Sequence, residues 1–231
     1  MKLLVSVVDT KEAEEAVSGG ADILDLKNPE EGSLGAAHPK LIDEVCHRYG
    51  NHLAVSAAIG DFPHLPNTAS LAALSAAEMG ADYIKVGLLG SKSEDKALEM
   101  LTSIQGALTW REHKVKLIAA CYADYHEAGT LDPLTLPRLA DTAGFAGCMI
   151  DTLDKNGKCL FDYMKKDDIR FFIEKCRKYK LLCALAGSLK RCHLQLLKEL
   201  KPDIIGVRGA VCRNGVRTGD LDRQKVAEFM K

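Results

Sequence analysis

Residues 21–35 read ADILDLKNPEEGSLG, a segment that is apolar until its exit, where Asp25 and Lys27 stand two apart. Side chains along a β-strand alternate between faces, so an acid and a base are aimed at one place just before a loop rich in Pro, Gly and Ser. Comparable charges recur as Lys85 in YIKVG, Asp151 at the end of GCMID, and Lys155 in DTLDKNGK. A lysine that gives up its proton can attack a carbonyl carbon and form a Schiff base, and a second amine nearby can move protons. Two ammonium groups about 6 Å apart, at an effective dielectric of about 20, repel by roughly 3 kcal/mol and so favour loss of a proton. Partial burial acts the same way and neighbouring carboxylates act against it, which leaves the sign of the net shift open. The plainer alternative is a structural ion-pair cluster, since buried acids and bases satisfy one another. Against it, a fixed pair usually employs Arg, whereas Lys is the residue whose proton can leave.

The elements that must position these residues follow a regular order. Eight strand-like runs begin at Leu3, Asp22, Leu53, Tyr83, Lys116, Gly147, Leu182 and Ile204. They are short and apolar on both faces, as parallel strands covered on both sides are. Helical segments lie between them. The first is capped by Asp9–Thr10 and closed by Gly19–Gly20; the second carries Pro39 in its first turn and ends at Gly50. A third runs from Thr68 to Gly80, and another is capped by Asp132 and ends at Gly144. GGADILDLK and MGADYIKVG echo one another, KPDIIGVRG follows less closely, and AGFAGCMID least. Eight βα units without a break predict a single-domain TIM (β/α)8 barrel over residues 1–231. An open doubly wound sheet is the alternative, but VVDTKEAEE after the first strand lacks the glycine-rich phosphate turn such a sheet would show.

In such barrels the chemistry sits at the C-terminal ends of the strands, and loops after strands seven and eight commonly hold a phosphate. ALAGSLKRCH and GVRGAVCRNG occupy those places. Gly187 would let backbone N–H groups approach an anion, and Ser188 would donate its hydroxyl and cap the next helix. Gly206, Arg208 and Gly209 would add a close approach and a positive fork. Plain turn chemistry is the competing explanation. Gly32, Ser33 and Gly35 offer a second anion loop, opposed by Glu30 and Glu31. Tyr122, Asp124 and His126 after the fifth strand would touch substrate or pack the rim. Asp61 and His64 belong to a loop that Pro63 and Pro66 would stiffen into a lid.

Of the 231 residues, 47% are apolar and 27% charged, with a formal net charge of -1. That balance argues against bulk nucleic-acid binding, and no apolar run approaches the roughly 20 residues that span a bilayer. The N-terminus lacks the pattern of a signal peptide, so a cytoplasmic location is expected. Eight cysteines form no C-x-x-C pair and read as free thiols in a reducing compartment; seven scattered histidines show no metal-ligand spacing. The helix SLAALSAAEM is rich in Ala and Leu, which suits a homo-oligomer contact or the barrel equally.

DLKNPEEGSLGA, GADYIKVGL, DTLDKNGKCLFD, CALAGSL and IIGVRGAVC together resemble the (5-formylfuran-3-yl)methyl phosphate synthases, also called 4-(hydroxymethyl)-2-furancarboxaldehyde-phosphate synthases, of methanofuran biosynthesis. The likeness runs over essentially the whole chain. It implies a TIM barrel that condenses two molecules of glyceraldehyde 3-phosphate, with loss of one phosphate and water, and needs no metal or organic cofactor. It further implies Lys27 as the Schiff-base lysine, Lys85 as the proton-transfer residue, and Asp25, Asp151 and Lys155 as their supporting charges. Cys121 stands where the family usually has glycine, which puts the packing at the end of the fifth strand in question. Two other activities fit the same residues: a different Schiff-base aldolase on sugar phosphates, and a non-catalytic sugar-phosphate sensor.

Overall fold

The computed structural model describes residues 1–231. Eight parallel strands close on themselves in sequence order: β1 (Lys2–Val7), β2 (Ile23–Leu26), β3 (Ala54–Asp61), β4 (Tyr83–Gly87), β5 (Lys116–Tyr122), β6 (Gly147–Asp151), β7 (Leu182–Leu185) and β8 (Ile204–Val207), with β8 pairing back onto β1. The helices are α1 (Thr10–Ser18), α2 (Pro39–Tyr49), α3 (Pro66–Glu78), α4 (Glu94–Trp110), α5 (Tyr125–Ala128), α6 (Leu136–Thr142), α7 (Leu160–Tyr163), α8 (Lys166–Lys178), α9 (Leu194–Leu200) and α10 (Arg223–Phe229). Four-residue α5 and α7 are single turns inserted at the top of the barrel, and the other eight cover its outside. The single-domain TIM (β/α)8 barrel expected from the sequence is the fold.

Each strand is apolar twice over because it has two cores to serve. Its outward residues, such as Val5, Leu24, Ile84 and Ile205, pack against the helices. Its inward residues fill the barrel: Leu4, Ile23, Ile118, Met149 and Ile204 form the lower plug. Cys121, Cys148 and Cys183 face outward among the first set, so the departure at Cys121 lies on the far side of the wall from the inward-facing charges. The Ala face of α3 (Ala69, Ala73, Ala76 and Ala77) is buried, while Leu71 on the same helix stays exposed.

Helix ends follow the expected chemistry in most places. The Asp9 carboxylate accepts from Glu12 N at 2.7 Å, and Pro39 opens α2. Three details differ. Helix α3 begins two residues early, at Pro66, whose ring is preset for a first turn. Asp132 caps a separate 3-10 turn, Pro133–Thr135, before α6, where Pro137 has no N–H to carry the helix ladder backward. Helix α9 starts only at Leu194, after a 3-10 turn at Arg191–His193, so Ser188 caps no helix.

The echo of Gly-Ala-Asp segments now has a cause. Asp22, Asp82 and Asp203 each enter an even-numbered strand. Their carboxylates accept from Leu3 N (2.7 Å), Val55 N (2.8 Å) and Cys183 N (2.8 Å) on the preceding odd-numbered strand. Their own N–H groups donate to the carbonyls of those same residues. This two-bond clasp closes the barrel floor at three of its seams. Before β6 the position holds Ala146, which keeps only the backbone half, to Leu117 O at 2.9 Å. Replacing Asp82 by Ala is expected to leave the buried Val55 N–H unpaired, at a cost of about 1 kcal/mol. Thermal denaturation should show a loss of a few degrees; Asp82→Asn, which keeps an accepting oxygen, should restore most of it.

Candidate active site

A cavity of about 500 Å³ opens at the C-terminal ends of the strands. It is lopsided. On the β3–β5 side the space is filled by Tyr122 and Leu34, both fully buried. On the β7–β8 side the inward residues are small, Ala186 and Gly206, and the room remains. A Cβ added at Gly206 would come within 3.2 Å of Met149 Cε and 3.3 Å of Ala186 Cβ. Gly206 therefore makes space on the cavity floor.

Asp25, Lys27, Asp151 and Lys155 line this cavity, as do Gly187, Ser188, Gly206, Arg208 and Gly209. Lys85 does not. It lies one layer deeper, 2% exposed, with Nζ 2.7 Å from Asp25 Oδ1, and faces a hollow of about 10 Å³ in the barrel interior. That approach is an ion contact without hydrogen-bond alignment, and neither atom has another partner. The other Asp25 oxygen accepts from Ser6 Oγ at 2.8 Å. Expected to share one mouth with Lys27, Lys85 instead lies behind Asp25 in the barrel interior.

Lys27 is buried, and its only polar contact is the Ser33 carbonyl at 3.3 Å. Burial lowers its pKa from 10.5 to about 8; Asp151 opposes the shift, Lys85 adds to it, and Asp25 and Lys155 act oppositely to one another. The sign left open by the sequence is thus decided mainly by desolvation and only secondarily by the second amine. Asp151 behaves differently. Burial alone would raise its pKa, yet the Lys155 and Lys27 charges, with hydrogen bonds from Lys155 and Thr152 N–H, hold it well below the usual carboxylate range. Lys155 Nζ donates to Asp151 Oδ1 (2.7 Å), Thr152 O (2.5 Å) and Thr152 Oγ1 (3.0 Å).

The anion end needs a correction. Arg208 is not a free fork. It is buried and donates to both Glu12 oxygens (2.7 and 3.2 Å), to Ser6 O and to Arg217 O. Glu12, on the first turn of α1, faces the barrel because Val8 N also donates to it, at 3.0 Å. The second anion loop is likewise spoken for: Ser33 Oγ donates to Thr152 O (2.8 Å) and Leu34 N to Asp61 (2.9 Å). What stays open is the turn after β7. Gly187 and Ser188 have positive φ, +95° and +50°, the second unusual for a non-glycine residue. Their N–H groups and the Ser188 hydroxyl make no bond within the chain. Sequence reasoning missed two cations at this mouth, Lys190 and Arg217. Lys190 lies within ALAGSLKRCH, a stretch singled out for phosphate, and that placement was its available signal; Arg217 lies two residues past GVRGAVCRNG and carried none.

The remaining rim residues are structural. Asp61 lies on β3, just past a bulge, and accepts from both Leu34 N and the Tyr122 hydroxyl. Asp124 takes Leu153 N and Asp154 N, each at 2.8 Å, tying the β5 and β6 loops together. His64 pairs with Glu99 on α4, so the loop after β3 is pinned to the rim.

Comparison with known proteins gives the chain a family. The family model described as 4-HFC-P synthase matches residues 3–230. The chain belongs to the 4-HFC-P synthase family. It is 47% identical to the (5-formylfuran-3-yl)methyl phosphate synthase of Methanocaldococcus jannaschii, over 99% of this chain and 98% of that one. It is also 47% identical to the enzyme of the same name from Archaeoglobus fulgidus, over 100% and 98%. Among solved structures it is similar to 3-hexulose-6-phosphate synthase from Salmonella typhimurium, with a TM-score of 0.68, 18% identity and coverage of 100% and 98%. Phosphoribosyl anthranilate isomerase from Thermus thermophilus follows at a TM-score of 0.63, 14% identity and coverage of 100% and 96%. These likenesses speak for the barrel alone. Membership of the synthase family makes this protein an enzyme. No helix in it is long and apolar enough to cross a membrane.

In this enzyme the Glu12–Arg208 pair should act as a structural bolt between α1 and the end of β8. Arg208→Leu strands a buried carboxylate and is expected to cost about 3 kcal/mol or more in chemical denaturation. Glu12→Leu combined with Arg208→Leu should recover over half of that; a double variant worse than the single one would show the pair is not the reason.

Proposed function

We propose that this protein is a (5-formylfuran-3-yl)methyl phosphate synthase that works through a Schiff base on Lys27. Two molecules of glyceraldehyde 3-phosphate would give 4-(hydroxymethyl)-2-furancarboxaldehyde phosphate, one orthophosphate and two waters. The observation that carries this reading is a buried lysine in the cavity wall with no carboxylate in contact and a pKa lowered to about 8. At pH 7 such an amine is free base about one time in ten, an ordinary lysine about three times in ten thousand. The difference, roughly 300-fold, is in the population able to attack an aldehyde.

The other groups take complementary parts. The turn at Gly187 and Ser188, with Lys190 beside it, would hold the phosphate of the triose whose aldehyde meets Lys27. Attack by the amine and loss of water give an iminium, which acidifies the adjacent carbon. Asp25 faces the cavity with Lys85 behind it, so the proton would pass to the Asp25 carboxylate, which Lys85 holds in place. The enamine carbon then attacks the aldehyde of the second triose. Lys155, oriented by Asp151, is placed to protonate oxygen as water departs. Elimination of one triose's phosphate as orthophosphate, and hydrolysis of the iminium, which takes back the water lost when it formed, would complete the product and free Lys27. The proton-transfer role that the resemblance gives Lys85 is thereby shared with Asp25.

Borohydride added with glyceraldehyde 3-phosphate should fix a triose adduct on the peptide bearing Lys27 and none in Lys27→Arg. The deprotonated amine is the reactive form, so the trapped fraction should rise with pH through about 8. A midpoint near 10, the range of an ordinary lysine, would remove the argument from burial.

The Asp25–Lys85 pair makes a separate forecast. Asp25→Asn and Lys85→Met should each slow turnover by about 100-fold or more. Each should still form the Lys27 adduct at about pH 9, where the amine is largely free. The double variant should be no slower than either single one. Multiplying losses would mean that the two act independently.

A further inference from the structure

The charges around the cavity do not cancel, and the way they fail to cancel is specific. Asp25 is taken by Lys85, Asp151 by Lys155, and Glu12 by Arg208. Each acid has its own base. Three cations in the cavity wall are left with no carboxylate within ion-pair distance: Lys27, Lys190 and Arg217. Lys27 is accounted for as the amine that sheds its charge. Lys190 stands by His193 and Asp162 on the β6–β7 side, next to the open turn at Gly187.

Arg217 is elsewhere. It extends from the loop after β8 across the mouth to the β2 loop, where its only side-chain contact is the Gly32 carbonyl at 3.4 Å. Lys27 hangs beneath the next carbonyl along, that of Ser33. The guanidinium is partly buried; burial pushes its pKa down and the Arg208 charge adds to this, while Asp151 and Asp61 oppose it without forming an ion pair with it. Its backbone is held independently, through the carbonyl that accepts from Arg208 Nε at 2.5 Å. An anchored, half-buried fork with almost all its donors unused, facing a cavity, is suited to a phosphate.

We infer that the cavity holds two phosphate subsites on opposite sides of Lys27, and that Arg217 is the principal ligand of the second. The first is the Gly187–Ser188 turn with Lys190. This rests on the proposed reaction, which brings in two triose phosphates at once and must hold both. It also replaces the Gly32–Gly35 loop, whose donors at Ser33 and Leu34 are spent on the protein, as the second anion site.

Titration of the intact protein with inorganic phosphate, followed by calorimetry and by crystallography of the phosphate complex, tests this. The wild type should bind two phosphates per chain. Arg217→Gln should keep the one at Gly187–Ser188 and bind the other at least about tenfold more weakly. Arg217→Lys, which retains the charge but not the fork, should fall between. Inhibition of turnover by phosphate should drop from second to first order in Arg217→Gln. One phosphate in the wild type, or two undiminished in Arg217→Gln, overturns the subsite. Borohydride trapping at Lys27 reports separately on the reaction: loss of trapping with two phosphates still bound would sink the Schiff-base reading and leave the subsite standing.

Discussion

Burial of the Lys27 amine works only because every carboxylate near it is already committed to another base. A unit charge 4 Å away, at an effective dielectric of about 20, is worth roughly 4 kcal/mol, or about three pKa units. One loose carboxylate against Lys27 would therefore cancel the lowering to about 8 and restore an ordinary ammonium. The site avoids this by assignment. Asp151 is engaged through Oδ1 by Lys155 and by Thr152 N–H, and Asp25 is gripped by Lys85 and Ser6. The acids remain near enough to stabilise the iminium of the proposed reaction, yet none forms an ion pair with the amine. A ring of charges that looks like a structural ion-pair cluster is in fact a cluster with one member left out.

The barrel supplies that geometry by limiting where side chains can go. The side filled by Tyr122 and Leu34 excludes water from behind Lys27, while the small residues Ala186 and Gly206 open the other side. The loops are stitched together by groups that might be mistaken for ligands: Ser33 to Thr152, Leu34 to Asp61, Asp124 to Leu153 and Asp154. Rigid placement would serve the proposed reaction, in which Lys27 must meet an aldehyde carbon anchored by a distant phosphate.

Much of this was legible in the sequence, because period-two alternation with both faces apolar states which residues point inward. Asp25, Lys27 and Asp151 follow from parity alone. Height does not. Strands in a closed barrel tilt, so residues at matched register lie at different depths. Lys85 pairs with Ala58, one step beyond the Leu26–Ala57 pair and hence level in register with Lys27, yet it sinks beside Asp25. Parity gave its direction and could not give its layer. Arg208 was illegible for another reason. Its partner Glu12 lies 196 residues away, on a helix whose acids otherwise face solvent, and no local pattern marks it as inward. Arg217, in RNGVRTG, reads as one more solvated charge until the fold carries that loop over the mouth.

The same contrast separates scaffold from chemistry. The sugar-phosphate barrels similar in shape share under a fifth of their residues with this chain, so the path of the backbone constrains the reaction very little. What narrows it is the bookkeeping inside the ring: three acids, each matched to one base, and three bases without an acid. A cavity that needed only to hold its substrates could neutralise every cation with a neighbour. Leaving three unmatched costs desolvation that the fold does not recover by itself. In the proposed reaction the compensation comes from the substrates, as phosphates that bind two of the cations and as an aldehyde that meets the third as a free amine.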